Sequence, residues 1–217
     1  MSLNNRVIAI DLLGHGQSEC LGYIHTMEDQ SHVIQAVLEF LKIDNATIIG
    51  HSMGGYVALA FAEMYHHKLN ALVLMNSTAL DDSQEKRNNR DRAIKMVKND
   101  FVSFVKLSIA NLFSEDSVRI LKNDIENVKK EALKTPLQGI IAALEGMKIR
   151  KNRSQIFESL KIPKLLILSK KDPVLDFNNN SKQVENTDIK LLALEDGHMS
   201  HIENRAELLA ILLEFVN

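Results

Sequence analysis

Apolar residues fall along the chain in short blocks with two rhythms. RVIAID (6–11), ATIIG (46–50), LNALVLMN (69–76), PKLLILS (163–169) and IKLLAL (189–194) are continuous aliphatic and β-branched runs bounded by turn residues. Such runs predict short buried strands. Between Met27 and Leu41, apolar residues instead recur at helical spacing, at Val33, Ile34, Val37, Leu38 and Leu41. GYVALAFAEMYH (55–66), a stretch near Asn179 to Val184, and RAELLAILLEFV (205–216) are further predicted helices. Strand, helix, strand, helix, strand predicts an α/β fold: a mostly parallel sheet with helices on both faces.

The middle of the chain breaks this order. From Asp81 to about Leu160 it is charged, holds one proline and shows no convincing strand. Helical spacing recurs at Phe101, Val105 and Leu112, and again at Ile140, Ala143, Leu144 and Met147. The pattern predicts one α/β core built from 1–80 and 161–217, carrying a helical insertion over 81–160. Within it, DDSQEKRNNRDR (81–92) reads as a solvated face.

Composition narrows the classes of function. At 217 residues and 45% hydrophobic, the chain can bury a substantial core in one domain. With 26 basic against 28 acidic residues it carries no field that would recruit nucleic acid or an anionic membrane. No apolar run reaches the roughly 18 residues that a membrane helix needs. The single cysteine, Cys20, cannot form an internal disulfide, which fits a reducing cytoplasm, and it reads as a small side chain near a loop. The opening MSLNNR is too short and polar for a signal peptide and fits a cloning remnant.

One stretch carries chemistry. GHSMGG (50–55) sets Ser52 where a predicted strand turns straight into a predicted helix. A residue at so sharp a turn is held in a strained conformation, and its neighbours two before and two after, Gly50 and Gly54, are small: G-x-S-x-G. The turn lifts the hydroxyl clear of the carboxyl edge of the sheet. It also aims the Met53 backbone N–H, at the helix N-terminus, toward a developing oxyanion.

A serine hydroxyl needs a base, and the base needs an orienting carboxylate. KKDPV after the strand 163–169 puts Asp172 just beyond that strand, and EDGHMSHIEN after 189–194 puts His198 just beyond the next. Asp172 also fits a plain turn start before Pro173. His201 is a rival base, and Asp196 and Asp176 are weaker acids. HMSH and His66–His67 show no third ligand for a metal.

With these residues assembled, the chain resembles the α/β-hydrolase superfamily. DLLGHGQS (11–18) is similar to the loop after that family's fourth strand, GHSMGG to its nucleophile elbow, SKKDPV to its acid turn and GHMSHIEN to its histidine loop. The resemblance implies Ser52 as nucleophile, His198 as base, Asp172 as orienting acid and 81–160 as the cap over the substrate pocket. It looks nearest to small esterases, enol-lactonases and carbon–carbon-bond hydrolases. In that family three strands precede the loop at 11–18, and the loop after the third supplies a second oxyanion N–H; here five residues precede Arg6. The expectation is therefore a piece of a longer protein. Direct pairing of 6–11 with 46–50, or strands donated by another copy, are the alternatives. Loss of one oxyanion donor costs about 2.7–4 kcal/mol of transition-state stabilisation, so impaired activity is expected of such a chain.

The resulting expectation is hydrolysis of a small ester, thioester or lactone through an acyl-enzyme, with no metal or organic cofactor. Carbon–carbon hydrolysis or perhydrolysis by the same residues is the neighbouring reading, and a non-catalytic binding module the distant one. Phe101, Phe104, Val105, Leu112 and Phe113 fit an apolar acyl pocket and equally an ordinary core. The expected partner is a small acyl substrate, not nucleic acid or membrane; oligomeric state is left open.

Overall fold

The computed structural model describes residues 5–216. Its centre is a parallel four-stranded sheet, β1 (Ala46–His51), β2 (Leu69–Met75), β3 (Lys164–Ser169) and β4 (Lys190–Leu194), in the order β1-β2-β3-β4. Gly50 pairs with Leu74, Leu74 with Leu166 and Leu166 with Leu191, so all four strands end at one carboxyl edge. Parallel neighbours require crossovers. These are supplied by α2 (Met53–Tyr65), by the long helical segment between β2 and β3, and by the short α9 (Phe177–Ser181).

The period-two alternation of β2 and β3 divides the core. Leu72, Leu74, Leu166 and Leu168 face α2 and α1 (Met27–Phe40), packing with Val57, Phe61, Ile34 and Leu38. Val73, Met75, Leu165 and Ile167 face the opposite side and pack with Leu208 and Leu212 of α11 (Arg205–Val216). These side chains are almost wholly removed from water, and each such burial contributes about 1.5–3 kcal/mol. Helix α1 begins with a capping box, Thr26 accepting from the Asp29 N–H while Asp29 accepts from the Thr26 N–H.

Between β2 and β3 run six helices: α3 (Gln84–Asn99), α4 (Phe101–Ala110), α5 (Glu115–Ile120), α6 (Lys122–Ala132), α7 (Leu137–Lys148) and α8 (Ser154–Ser159). Ser83, Asp100 and Ser114 cap the first three by accepting backbone N–H groups. Helix α7 lies against the loop around Gly14: a Cβ on Gly139 would sit 2.1 Å from the Gly14 carbonyl oxygen. The last helical turn before α11 is α10 (Ser200–Glu203).

Two readings of the sequence are corrected here. Residues 6–11 form no strand, and β1 pairs with β2 alone among the described residues. An aliphatic run has strand propensity, but a strand exists only with a ladder partner. The segment 6–11 makes no ladder with β1; Ile10 packs against the core beneath it while Val7 is exposed. The polar run 81–92 is not wholly a solvated face either, because Asp82 is buried beneath Arg90 and Arg150. The opening residues 1–4 lie outside the described residues.

Candidate active site

Ser52 stands between β1 and α2 with φ 51° and ψ −118°, a left-sided conformation that side chains other than glycine rarely adopt. Its backbone is tied on both sides. The Ser52 N–H donates to the Met75 carbonyl at 3.0 Å, and the Ser77 hydroxyl donates to the Ser52 carbonyl at 2.8 Å. Gly50 is required by contact: a Cβ there would lie 2.3 Å from the Gly54 carbonyl oxygen. Gly54 differs, since a Cβ there would meet nothing within 4 Å. It is the Gly54 carbonyl, not its α-carbon, that crowds the turn. Gly55 approaches the loop after β2, its absent Cβ lying 2.2 Å from the Ser77 hydroxyl.

The structure brings Asp172 and His198 to this serine. His198 Nε2 is 2.8 Å from Ser52 Oγ, and His198 Nδ1 is 2.8 Å from Asp172 Oδ2. A carboxylate can only accept, so Nδ1 carries the hydrogen and Nε2 is free to accept from the hydroxyl. The ring is buried, 2% exposed, which keeps competing water from it. Burial pushes the Asp172 carboxyl up. The hydrogen bond and charge of His198, the Val174 N–H and the Asn76 amide outweigh that and hold it below the usual range. Met53 opens α2, so its N–H has no acceptor within the helix and is available at the elbow.

The rival residues lie elsewhere. The His201 ring sits 5.0 Å from the His51 ring rather than on Ser52. Asp196 accepts from Asn204, and Asp176 caps α9. His66 and His67 form an exposed 3-10 turn, and no group of three metal-ligating side chains occurs among the described residues. No helix among them is long and apolar enough to cross a membrane. Of the pocket candidates, Leu112 accepts the His198 N–H through its carbonyl at 2.9 Å, while Phe113 is buried with Ile125 and Met199. Val105 is buried, and Phe101 and Phe104 are half-buried on α4.

Three supporting residues escaped the sequence reading. Asn76, just past β2 with φ 45°, donates to Asp172 Oδ2 at 3.0 Å and to Ser169 at 2.8 Å, and accepts from Ser200 at 2.6 Å. Glu203 accepts from the N–H groups of Ser114 and Met199, tying the helical segment to the histidine loop. His51 donates from Nε2 to the His198 carbonyl at 2.8 Å. The polar residue at the end of LNALVLMN was the one visible signal, for Asn76. The other two depend on partners far away in sequence.

A family model described as the alpha/beta hydrolase fold matches residues 3–205, and the chain belongs to that family. It is 25% identical over 212 residues to 3-oxoadipate enol-lactonase 1 of Acinetobacter baylyi, covering 97% of this chain and 78% of that protein. A malate-bound thermophilic esterase from Thermogutta terrifontis superposes with a TM-score of 0.86 at 26% identity, covering 95% of this chain and 77% of that one. A 2-hydroxy-6-oxononadienedioate/2-hydroxy-6-oxononatrienedioate hydrolase of Paraburkholderia phymatum is 38% identical over 80 residues, which are 36% of this chain and 28% of that protein. The family is one of hydrolases, and the chain shares it with esterases and enol-lactonases.

Proposed function

We propose that the protein is a serine hydrolase that cleaves a small ester, thioester or lactone through an acyl-enzyme. The observation that carries this reading is the unbroken line Ser52 Oγ, His198 Nε2, His198 Nδ1, Asp172 Oδ2, with 2.8 Å at each hydrogen bond. Ser52 attacks the substrate carbonyl as His198 takes its proton, and the tetrahedral oxyanion forms beside the Met53 N–H. Asp172 stabilises the imidazolium without taking its proton. His198 then passes that proton to the leaving group, and water, activated by the same ring, releases the acyl group. Leu112 is held against the His198 backbone through its carbonyl, and with Phe101, Phe104, Val105 and Phe113 it is the proposed source of an apolar acyl pocket.

His51 helps this cycle by staying neutral. Burial and the repulsion of His198 pull its pKa down to about 3. A second charge beside the ring would oppose imidazolium formation. Turnover of p-nitrophenyl acetate is the test: Ser52→Ala is expected to abolish it, and unchanged turnover removes the mechanism.

A further inference from the structure

The two peptide units that meet at the α-carbon of His198 are each held from both sides. In the unit before it, the His198 N–H donates to the Leu112 carbonyl at 2.9 Å, and the Gly197 carbonyl lies 3.5 Å from the Asn76 amide. In the unit after it, the His198 carbonyl accepts from His51 Nε2 at 2.8 Å, and the Met199 N–H donates to Glu203 Oε2 at 2.9 Å. Peptide units are planar, and a side chain leaves the backbone in a direction that φ and ψ set. Groups that pin both units therefore aim the imidazole. They come from the end of β1, the residue after β2, the helical segment between β2 and β3, and α10.

Glu203 adds a second tie. Its other oxygen, Oε1, accepts at 2.9 Å from the N–H of Ser114, the buried residue that caps α5. A small apolar cluster closes over this junction: Met199 and Ile202 on one side, Leu112, Phe113 and Ile125 of the helical segment on the other. No space is left in it, since a Cβ on Gly197 would sit 2.5 Å from the Ser114 nitrogen and 2.7 Å from Glu203 Oε1. Hydrogen bonds to an ionised acceptor are among the stronger ones, and this carboxylate spends one on each of two segments.

We propose that Glu203 is a positioning residue for His198. Through the Met199 and Ser114 N–H groups it locks the loop that carries the imidazole to the helical segment, so that base and segment keep one relative placement. The inference rests on the hydrolase reading above and adds to it the device that keeps Nε2 on Ser52 Oγ. Displacing a reacting group by an ångström can cost about a hundredfold in rate.

The test uses two variants. Glu203→Gln has nearly the same shape but offers one acceptor oxygen, and its NH2 must face an N–H; Glu203→Ala removes both acceptors. Reactive sites are counted by stoichiometric fluorophosphonate labelling, and p-nitrophenyl acetate turnover is expressed per labelled site. Turnover per site is expected to fall about tenfold in Glu203→Gln and about a hundredfold in Glu203→Ala, with KM little altered. A purely structural carboxylate would lower the number of labelled sites and leave the turnover of each unchanged. That result in Glu203→Gln, or failure of this variant to fold, overturns the proposal; should Glu203→Ala alone fail to fold, Glu203→Gln decides. The proton shared by His198 Nδ1 and Asp172, which resonates far downfield of the amides, gives a readout that needs no substrate. If the unaltered protein turns over no ester, that resonance decides. Its loss in folded Glu203→Gln upholds the positioning role and leaves only the hydrolase reading sunk, whereas its persistence there, or its absence from the unaltered protein, overturns the positioning role as well.

Discussion

His51 donates its Nε2 hydrogen to the backbone carbonyl of His198 across 147 positions of sequence, so the residue before the serine holds the loop that carries the imidazole facing it. The two rings lie 5.1 Å apart, close enough that charging one opposes charging the other.

That relationship makes acid stability testable. The folded pKa of His51 is about 3, below the ordinary imidazole value of 6.5, so the unfolded chain binds more protons between those values. The stability that neutral His51 contributes is complete above pH 6.5 and is lost as the pH falls from there toward 3. His201 and His25 are lowered as well and act in the same direction. His51→Gln keeps a donor for the His198 carbonyl but cannot titrate. Urea denaturation at steps between pH 7 and pH 4 is expected to show a shallower decline in that variant, by up to about 1.4 kcal/mol per unit. Parallel curves for the two proteins would discount the coupling.

Asn76 fixes the acid, and its removal is expected to act on turnover more than on binding. Asn76→Ala takes a donor from Asp172 and leaves the Ser200 and Ser169 hydroxyls without their partner. A stability loss of about 1–3 kcal/mol and a fall in kcat of about tenfold are expected, with KM little altered. An unchanged kcat in folded protein would show that Asp172 needs no such support.

The two glycines flanking the serine are expected to respond in opposite ways. Gly50→Ala drives a methyl group into the Gly54 carbonyl, at a cost of about 3 kcal/mol or more, and should sharply reduce folded yield. Gly54→Ala meets open space in the first turn of α2 and is expected to fold normally, gaining about 0.4–1 kcal/mol. Melting temperatures decide between this asymmetry and an equal need for both.

The elbow was legible in the sequence because its geometry is local: a strand, a helix and small residues within a few positions of Ser52. Asp172 and His198 were legible because strand ends in a parallel sheet share one edge, so chain order alone brings them together. Residues 6–11 misled because composition reports strand propensity and not the presence of a partner. Asp82 was hidden in a run whose polarity suggested solvent, since the Arg150 that buries it comes from beyond α7. Asn76 showed only as a polar residue ending an aliphatic run, while its partner Asp172, the Ser114 N–H that Glu203 accepts and the His198 carbonyl that His51 reaches all lie far away in sequence, which no local pattern records.

Asp82 also gives a stability prediction. Asp82→Ala leaves Arg150 buried without its carboxylate and Arg90 without its partner, which is expected to cost about 3–5 kcal/mol. Chemical denaturation would register this as a large fall in midpoint. A shift within the range of surface substitutions would show that the guanidinium groups find other partners.

Reactivity of Ser52 toward a fluorophosphonate, followed by intact mass and peptide mapping, tests the central claim most directly. Rapid formation of a single adduct on Ser52, slowed by orders of magnitude in His198→Ala, is the predicted result. A Ser52 that stays unmodified, or one that reacts equally fast without the imidazole, would contradict it.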